Sequence, residues 1–211
     1  MKISIKKDLL LKIVKQQLNN LFLINDLEKK IIEKHFNEVL KKTEYCFSKS
    51  KNKYFKKNKK TIFNHLNSDQ YAIFLYFFSN TIYKSHKTKF ENLATKFYYL
   101  NKMLNGFDLL YSVNMPRVFF PNHAVGSVIG KAEYGNYFSF SQNCTVGNNK
   151  GIYPKIGNYV EMLSGSKILG NCRIGNNVQF AANSYIKDKD VPSDTIVFGQ
   201  FPDNIFKKKK I

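Results

Sequence analysis

Large apolar residues recur at every sixth position along one continuous stretch in the second half of the chain. The series runs through Ile156, Met162, Ile168, Ile174, Phe180 and Ile186. Small or medium side chains follow the first five members by four positions, at Val160, Ser166, Cys172, Val178 and Ser184. A fixed period of six is typical of a parallel β-helix built from hexapeptide repeats. We therefore predict short strands and corners in which three hexads close a triangular coil around the large side chains.

Two other structures explain the pattern less well. An amphipathic helix needs apolar residues at a spacing of 3.6, and a strict period of six falls out of phase with it within two turns. The strands of a β-sandwich alternate at period two, but their turns do not fall at one constant interval. Six consecutive matches therefore favour the β-helix.

An earlier hexad series precedes this stretch and is out of register with it. Its members are Val128, Tyr134, Phe140 and Val146, and the next apolar position, Ile156, follows after ten residues. The excess lies in residues 147–155, which we expect to leave the coil wall as a loop. Loops on a regular solenoid are where sites are commonly built.

The first half of the chain has a helical pattern. Apolar faces or runs predict four helices, at about Leu9–Phe22, Asp26–Ser48, Gln70–Tyr83 and Lys89–Leu104. Ser68-Asp69 is the expected N-cap of the third helix. That helix contains the run Tyr71–Phe78, which is apolar on all sides and should be buried between neighbours or subunits. Helices of this kind cannot bury all of their apolar faces against one another, so we expect contacts between subunits of an oligomer.

Glycine and proline divide the chain sharply, because all 11 glycines and all 5 prolines lie after Leu104. The fold class predicted is α+β, with a helical domain at 1–105 and a β-helix at 106–204. Within the helical domain we expect the lysine-rich segment 49–60 to be a solvated linker. Residues 205–211 are expected to form a basic C-terminal tail.

The formal net charge of +19 raises the question of a nucleic-acid partner. Lysine supplies 32 of the 34 basic residues, whereas bidentate recognition of phosphates and bases prefers arginine. A chain rich in lysine, asparagine and isoleucine more often reflects an AT-rich genome, so no nucleic-acid partner is predicted. The less favoured interpretation is attraction of segment 49–60 to an anionic membrane surface or a polyanionic substrate.

Three scattered cysteines do not make a disulfide framework. Cys144 and Cys172 occupy small-residue positions of hexads and are expected to be buried and unreactive. The N-terminus lacks the apolar core and cleavage site of a signal peptide, and no run of 18 apolar residues predicts a membrane span. A cytoplasmic location fits these features, and no metal site is predicted.

His123 is the only histidine in the second half and stands where the hexad pattern breaks, within residues 119–126. Histidine titrates near neutral pH and can act as a general base; the alternative is a structural histidine at a coil corner. Asp108 lies 15 residues upstream, about one coil earlier. Because adjacent coils are separated by about 4.8 Å, the two residues can meet. A carboxylate on one ring nitrogen would orient the imidazole and raise its basicity.

An ordered set of short motifs runs through residues 104–204. It consists of Asp108 followed by Asn122-His123-Ala124-Val125-Gly126, then Cys144-Thr145-Val146-Gly147, Tyr153-Pro154-Lys155-Ile156-Gly157, Ser164–Asn171, Val191-Pro192 and Gly199–Pro202. With these motifs the stretch resembles the serine O-acetyltransferases and related hexapeptide-repeat acyltransferases. The first half is similar to the family's N-terminal domain only in general character. The resemblance implies a left-handed β-helix that assembles as a homotrimer, and it does not choose between a trimer and a pair of trimers.

The resemblance also implies site residues. His123 would take the proton from an acceptor hydroxyl that attacks acetyl-CoA, with Asp108 as its orienting partner. The backbone N–H near Gly147 would bind the developing oxyanion, an effect worth roughly 3 kcal/mol. The pantetheine arm would lie between two subunits, near Ser164, Gly165 and Ala182. Lysines near the C-terminus are candidates for the 3′-phosphate.

Departures from the family pattern concern the acceptor. Serine acetyltransferases usually have Asp before the catalytic histidine and Arg-His before the Pro-Lys-Ile sequence, and these groups bind serine. Here the positions hold Asn122 and Ile152-Tyr153. Without a matched cation, an acceptor carboxylate is poorly bound. Tyr153 is a candidate to stack on a sugar or to close the loop against a neighbouring subunit. Asp69 is a further acceptor candidate by analogy with an acid in the family's helical domain.

The sequence thus predicts an acetyl-CoA-dependent O-acetyltransferase whose acceptor is a sugar hydroxyl of a surface polysaccharide. The enzymatic alternative is serine O-acetyltransferase. Ile211 faintly resembles the C-terminal isoleucine of that family. A third alternative, from a different class, is a non-catalytic trimeric scaffold that binds a polyanion. The Asp108–His123 pair argues against it, because a scaffold has no use for that pair.

Overall fold

The structure is a computed structural model that describes residues 1–209, and it divides into two compact units between Asn105 and Gly106. The first unit is helical and the second is a parallel β-solenoid of about four turns, as the sequence predicts. Ile211 and Lys210 lie outside the described residues. None of the helices in the described part combines the length and the apolar character needed to cross a membrane.

Four α-helices form the first unit. They are α1 (Lys7–Phe22), α2 (Asp26–Ser48), α3 (Ser68–His86) and α4 (Glu91–Asn105), with 3₁₀ turns at Lys53–Phe55 and Lys87–Phe90. The predicted N-cap of α3 is wrong. Asn67 is the N-cap, because its side-chain oxygen accepts from the Gln70 amide at 3.0 Å. Asp69 instead lies in the first turn of α3, where a negative charge favours the helix dipole.

The core of the helical unit is built on α3, which packs against α2 and α4. Every residue from Gln70 to Ile82 is buried, which accounts for a helix that is apolar on all sides. Phe74 is at the centre, with ring centroids of Phe36, Phe63 and Phe78 at 6.4, 5.0 and 5.1 Å. The apolar run is therefore covered by neighbours within the unit itself.

The lysine-rich segment 49–60 is solvent-exposed except at Ser50 and Phe55, but it is folded into a turn and a hairpin. After the 3₁₀ turn, β2 (Lys56–Lys57) pairs antiparallel with β3 (Lys60–Phe63), and β1 (Lys2–Ile3) pairs parallel with β3. The segment is held because Phe55 is buried, with its ring 4.8 Å from that of Phe47. This apolar residue among the lysines joins the segment to the core of the helical unit.

A histidine pair joins α2 to the end of α3. The Nε2 atoms of His35 and His86 are 2.9 Å apart, and His35 Nδ1 lies 3.1 Å from a Glu38 carboxylate oxygen. At this separation one Nε2 must accept the other's proton, so both rings cannot be fully protonated. Burial, followed by the charges of His35, Lys34 and Lys89, lowers the pKa of His86.

We expect this pair to make the protein less stable in mild acid. A histidine whose pKa is lower in the folded state than in the unfolded state stabilises the fold at pH values above the unfolded-state pKa. This contribution is lost as the pH falls from the unfolded-state pKa through the folded-state pKa. The melting temperature, followed by circular dichroism between about pH 8 and pH 5, should therefore fall toward acid. His86→Gln should flatten this dependence at a cost of about 0.5–1.5 kcal/mol near pH 8. An unchanged pH dependence in the variant would refute the assignment.

The β-solenoid has three faces of parallel strands. The first face contains β4 (Phe119–Pro121), β7 (Phe138–Phe140), β10 (Glu161–Met162), β13 (Gln179–Phe180) and β15 (Thr195–Phe198). The second contains β5 (Val128–Ile129), β8 (Thr145–Gly147), β11 (Lys167–Leu169) and β14 (Tyr185–Lys187), and the third β6 (Glu133–Tyr134), β9 (Lys155–Ile156) and β12 (Arg173–Ile174). Residues 205–208 form β16 (Ile205–Lys208), antiparallel to β15, so most of the predicted basic tail is part of the sheet.

All six members of the main hexad series are buried inside the coils, as predicted. The earlier series is wrong at one position: Val128 is 48 % exposed, and its neighbour Ile129, 1 % exposed, faces inward. Ile129 pairs with Val146, which pairs with Ile168. The register differs because Tyr134 follows Ile129 by five positions, one fewer than the hexad.

Close stacking of coils at one corner depends on Gly157. A Cβ there would lie 2.7 Å from the carbonyl oxygen of Gly175 in the next coil. We expect Gly157→Ala to force the two coils apart and to cost about 1–3 kcal/mol, seen as a lower urea midpoint. Gln142→Ala, at an exposed corner position, is the control and should change stability by no more than about 0.5 kcal/mol. Equal midpoints for the two variants would contradict this account of the corner.

Candidate active site

The corner between β4 and β5 is two residues longer than the corners stacked above it. Pro121 pairs with Phe140 and Val128 with Thr145, so seven positions in this coil match five in the next. Asn122 corresponds to Ser141, because each donates its amide to the carbonyl at the end of the strand in the next coil. Gly126 corresponds to Asn143, whose side-chain oxygen lies against it. The residues without counterparts are therefore His123 and Ala124.

This insertion presents His123 on the outside of the solenoid. His123 has φ +51°, in the left-handed region, and its carbonyl accepts from the Val125 amide at 2.8 Å. Ala124 is buried beneath the turn, whereas His123 is exposed. Histidine is among the residues enriched in this conformation. The break in the hexad pattern thus corresponds to a tight turn that carries one imidazole.

Asp108 lies in the coil below, next to the strand that follows this turn. Its amide donates to Ser127 O at 2.8 Å, its carbonyl accepts from Ile129 at 2.9 Å, and it pairs in parallel with Val128. Phe107 and Leu109 on either side are buried, so Asp108 is on the outward face with Val128. The backbone therefore places Asp108 and His123 at one corner in neighbouring coils, and contact between their side chains stays a prediction.

The expected excursion after Gly147 is a short β-hairpin. Asn149 and Ile152 exchange both backbone hydrogen bonds, and Lys150 and Gly151 have φ of +51° and +79°. Gly147 ends β8 and accepts from the Gly170 amide at 3.0 Å. The hairpin begins directly after the residue proposed to carry the oxyanion donor.

Asp188 anchors this hairpin, a role that sequence reasoning missed. Its carboxylate accepts from the Asn149 side chain and from the Asn171 amide, the latter at 2.8 Å. The Asn171 bond, opposed by desolvation and aided by Asn149, lowers the pKa of Asp188. Gly170 makes room for this, because a Cβ there would overlap the Asp188 carboxylate.

Tyr153 follows the hairpin and is 41 % exposed. Lys131 lies one coil below, since Glu133 pairs with Lys155, and its Nζ is 5.6 Å from the Tyr153 ring centroid. Sequence reasoning did not single out Lys131, although its position 22 residues before Tyr153 was the available signal. A positive charge therefore lies beside Tyr153, which is next in sequence to Ile152, the residue at the position of the family's arginine.

The residues expected to meet the cofactor share the corner edge that carries His123. Ser164 and Ala182 occupy equivalent corner positions, and the Asn183 amide donates to Ser164 O at 2.8 Å. Gly165 has φ +72°, and a Cβ there would overlap the Asn183 side chain, so its identity has a structural reason. Asn122 starts the His123 turn. Asp69 belongs to the other unit.

Other candidate chemistry is weak. Cys144 and Cys172 are buried as predicted, and burial is the main cause that raises the pKa of Cys172. Among residues 1–209, histidine, cysteine and acidic side chains do not form a group of three or more that could hold a metal ion. The outward imidazole is the chemically distinctive group of this unit.

Comparison with known proteins points to one group. No family model matches the chain. The serine acetyltransferase of Synechococcus elongatus is 34 % identical over 106 residues, which cover 48 % of this chain and 43 % of that protein. The serine acetyltransferase of Staphylococcus epidermidis is 28 % identical over 155 residues, covering 66 % and 65 %.

Solved structures agree with this. Neisseria gonorrhoeae serine acetyltransferase in complex with serine has a TM-score of 0.63 at 22 % identity, covering 85 % of this chain and 73 % of that one. A serine acetyltransferase in complex with CoA has a TM-score of 0.64 at 18 % identity, covering 90 % and 81 %. This chain is similar to serine acetyltransferases in sequence and in fold. The sequence matches span about half to two thirds of the relatives' length, and the structural matches show the shared fold.

Proposed function

We propose that the protein is an acetyl-CoA-dependent O-acetyltransferase. The observation that carries the proposal is the two-residue insertion that presents His123 outward, on the corner edge that also holds Ser164 and Ala182. The similarity to serine acetyltransferases, one of which is described in complex with CoA, supports acetyl-CoA as the donor.

In the proposed reaction, His123 removes the proton of the acceptor hydroxyl as its oxygen attacks the thioester carbonyl carbon. The C–O bond forms, the C–S bond breaks, and the imidazolium returns its proton to the CoA thiolate. General-base catalysis of this kind contributes about 10²–10⁴-fold. Asp108 is a positioning residue that orients the imidazole from the neighbouring coil. A backbone N–H near Gly147 stabilises the oxyanion. The hairpin that Asp188 anchors holds this N–H group in place.

For the acceptor, the comparisons favour L-serine over the sugar hydroxyl expected from the departures at Asn122 and Ile152-Tyr153. Both sequence relatives are serine acetyltransferases, and one structural neighbour is described with serine. Lys131 beside Tyr153 supplies a cation close to the loop that lacks arginine, which weakens the argument against a carboxylate-bearing acceptor. The exposed Tyr153 ring keeps a sugar hydroxyl as the second candidate.

A thiol-release assay tests both parts of the proposal. Purified protein is incubated with acetyl-CoA and either L-serine, a panel of sugars or no acceptor. CoA release that depends on L-serine is the expected result. Release with a sugar alone would transfer the acceptor assignment to the second candidate. Release that never exceeds the acceptor-free rate, together with salt-sensitive binding to a polyanion, would favour the scaffold instead.

The proposed assembly is a homotrimer in which the pantetheine arm lies between two subunits, near Ser164, Gly165 and Ala182. Sedimentation velocity on the full chain would distinguish a trimer from a monomer or a pair of trimers.

A further inference from the structure

The lysine-rich hairpin forms one side of an open surface cavity that the acetyl-transfer proposal does not use. It has a volume of about 380 Å³ and lies between the hairpin and the start of α3. Its lining residues are Lys53, Tyr54, Lys56, Lys57, Ile62, Asn64, Asn67 and Gln70. Three are cations and none carries a carboxylate. A space of this size suits a small organic ligand.

The three lysines bring an uncompensated charge to this cavity. Within residues 1–209, no ion pair involves Lys53, Lys56 or Lys57, although other lysines of the helical unit pair with Glu28, Glu33 or Glu38. Lys53 Nζ is 5.3 Å from the centroid of the Tyr54 ring, and that ring also lines the cavity. Like charges gathered on a folded hairpin repel one another, so an anion bound between them would relieve a cost that the free protein bears.

Two asparagine side chains of the lining have their oxygens engaged by backbone N–H groups. Asn64 accepts from the Leu66 amide with its Oδ1 at 3.1 Å, and Asn67 accepts from the Gln70 amide at 3.0 Å. Each oxygen has one of its two acceptor positions occupied, whereas each Nδ2 group carries two N–H donors suited to an anion. Their donors match the lysines in favouring an anion.

The floor of the cavity is rigid. Gln70 is completely buried, its Oε1 accepts from the Asn64 amide at 2.7 Å, and its Nε2 donates to Tyr54 O at 2.7 Å. This one side chain ties the helix start to both the hairpin and the loop. The backbone at Tyr54 and Asn64 therefore keeps its arrangement without a ligand, which lowers part of the entropic cost of binding.

We propose that this cavity binds a phosphate ester. The phosphate would be held by Lys53, Lys56 and Lys57 with the two asparagine donors, since lysine binds phosphate as a point charge. The organic part would pack on Tyr54, which is 60 % exposed, and on Ile62. The phosphate can belong to a soluble metabolite or to a lipid headgroup, and both present the same chemistry.

Calorimetry on the full chain at constant ionic strength tests the proposal with glycerol 3-phosphate, with glycerol as the uncharged comparison. Lys53→Gln/Lys56→Gln/Lys57→Gln should bind about tenfold more weakly or worse, because the loss of one charge-assisted bond already has that effect. Lys12→Gln/Lys30→Gln/Lys34→Gln, with the same change in net charge on exposed helix positions, should stay within about twofold of wild type.

Vesicles identify the source of the phosphate. Wild type and both triple variants are sedimented with phosphatidylglycerol vesicles and with phosphatidylcholine vesicles. Binding to the anionic vesicles without binding of glycerol 3-phosphate, lost in the cavity variant alone, assigns the site to a lipid headgroup. Equal weakening in the two triple variants would mean that net charge alone acts, and would overturn the proposal, as would the absence of binding to either probe.

A further measurement does not depend on variants that may be poorly folded. Hydrogen exchange of wild type is compared with and without the phosphate-bearing probe that binds. Protection confined to residues 50–70 is expected, and protection elsewhere or nowhere would refute the site.

Discussion

Replacing His123 by alanine is expected to lower the rate of acetyl transfer by about 10²–10⁴-fold. The imidazole is the only titratable side chain in the inserted turn, and no neighbouring residue of that turn can accept a proton in its place. Because His123 is exposed and outside the coil wall, its truncation should leave the melting temperature nearly unchanged. The loss should therefore appear in kcat, measured by thiol release at saturating acetyl-CoA with the acceptor that wild type uses.

Tyr159→Ala is the matched control for this variant. Tyr159 also has a positive φ, +58°, and is exposed at a corner of the same solenoid, but it has no place in the proposed reaction. It should retain the wild-type rate. A His123→Ala protein that is as active as this control would remove His123 as the base.

The largest expected effect on stability is that of Phe74→Ala, at about 3–5 kcal/mol. Phe74 is fully buried and its ring meets those of Phe36, Phe63 and Phe78. These partners come from α2, β3 and α3, so the surrounding elements cannot collapse together onto the cavity. Urea unfolding followed by circular dichroism should show an early loss of the helical signal.

Leu27→Ala provides the comparison, since Leu27 is also on a helix but is exposed. Its effect should be about 0.5 kcal/mol or less. If Phe74→Ala were as mild as Leu27→Ala, the helical unit would not depend on the aromatic cluster, and the packing of α3 described here would be wrong.

The fold could be predicted because each coil repeats one inward position. From Ile156 to Ile186 the same environment recurs at every sixth residue, so the pattern specifies the structure directly. Val128 was assigned inward wrongly because its coil departs from the six-residue repeat in two places. Two residues are inserted at His123-Ala124, and one is missing between Ile129 and Tyr134. A rule based on spacing alone cannot locate both changes. The helical pattern likewise predicted four helices, but Asn67 was missed as a cap because Ser68 and Asp69 are also good caps.

Part of the site could also be predicted. His123 was found because it breaks the repeat, and Asp108 because its distance in sequence is about one coil. Lys131 and Asp188 were missed because their polar contacts between coils join residues 17 to 39 positions apart and follow no apolar period. The folding of segment 49–60 was missed because its composition is dominated by lysine, while its anchors are buried Phe55 and the hydrogen bond from Gln70 to Tyr54 O.

The most direct test of the proposed active site is a structure of the full chain with CoA bound. The thiol end should lie beside the His123 imidazole at the outward corner between β4 and β5, with the pantetheine arm along the edge that carries Ser164 and Ala182. Asp108 should lie against the ring nitrogen that faces away from the sulfur. CoA bound along another edge, or a His123 ring turned away from both the thiol and Asp108, would contradict it.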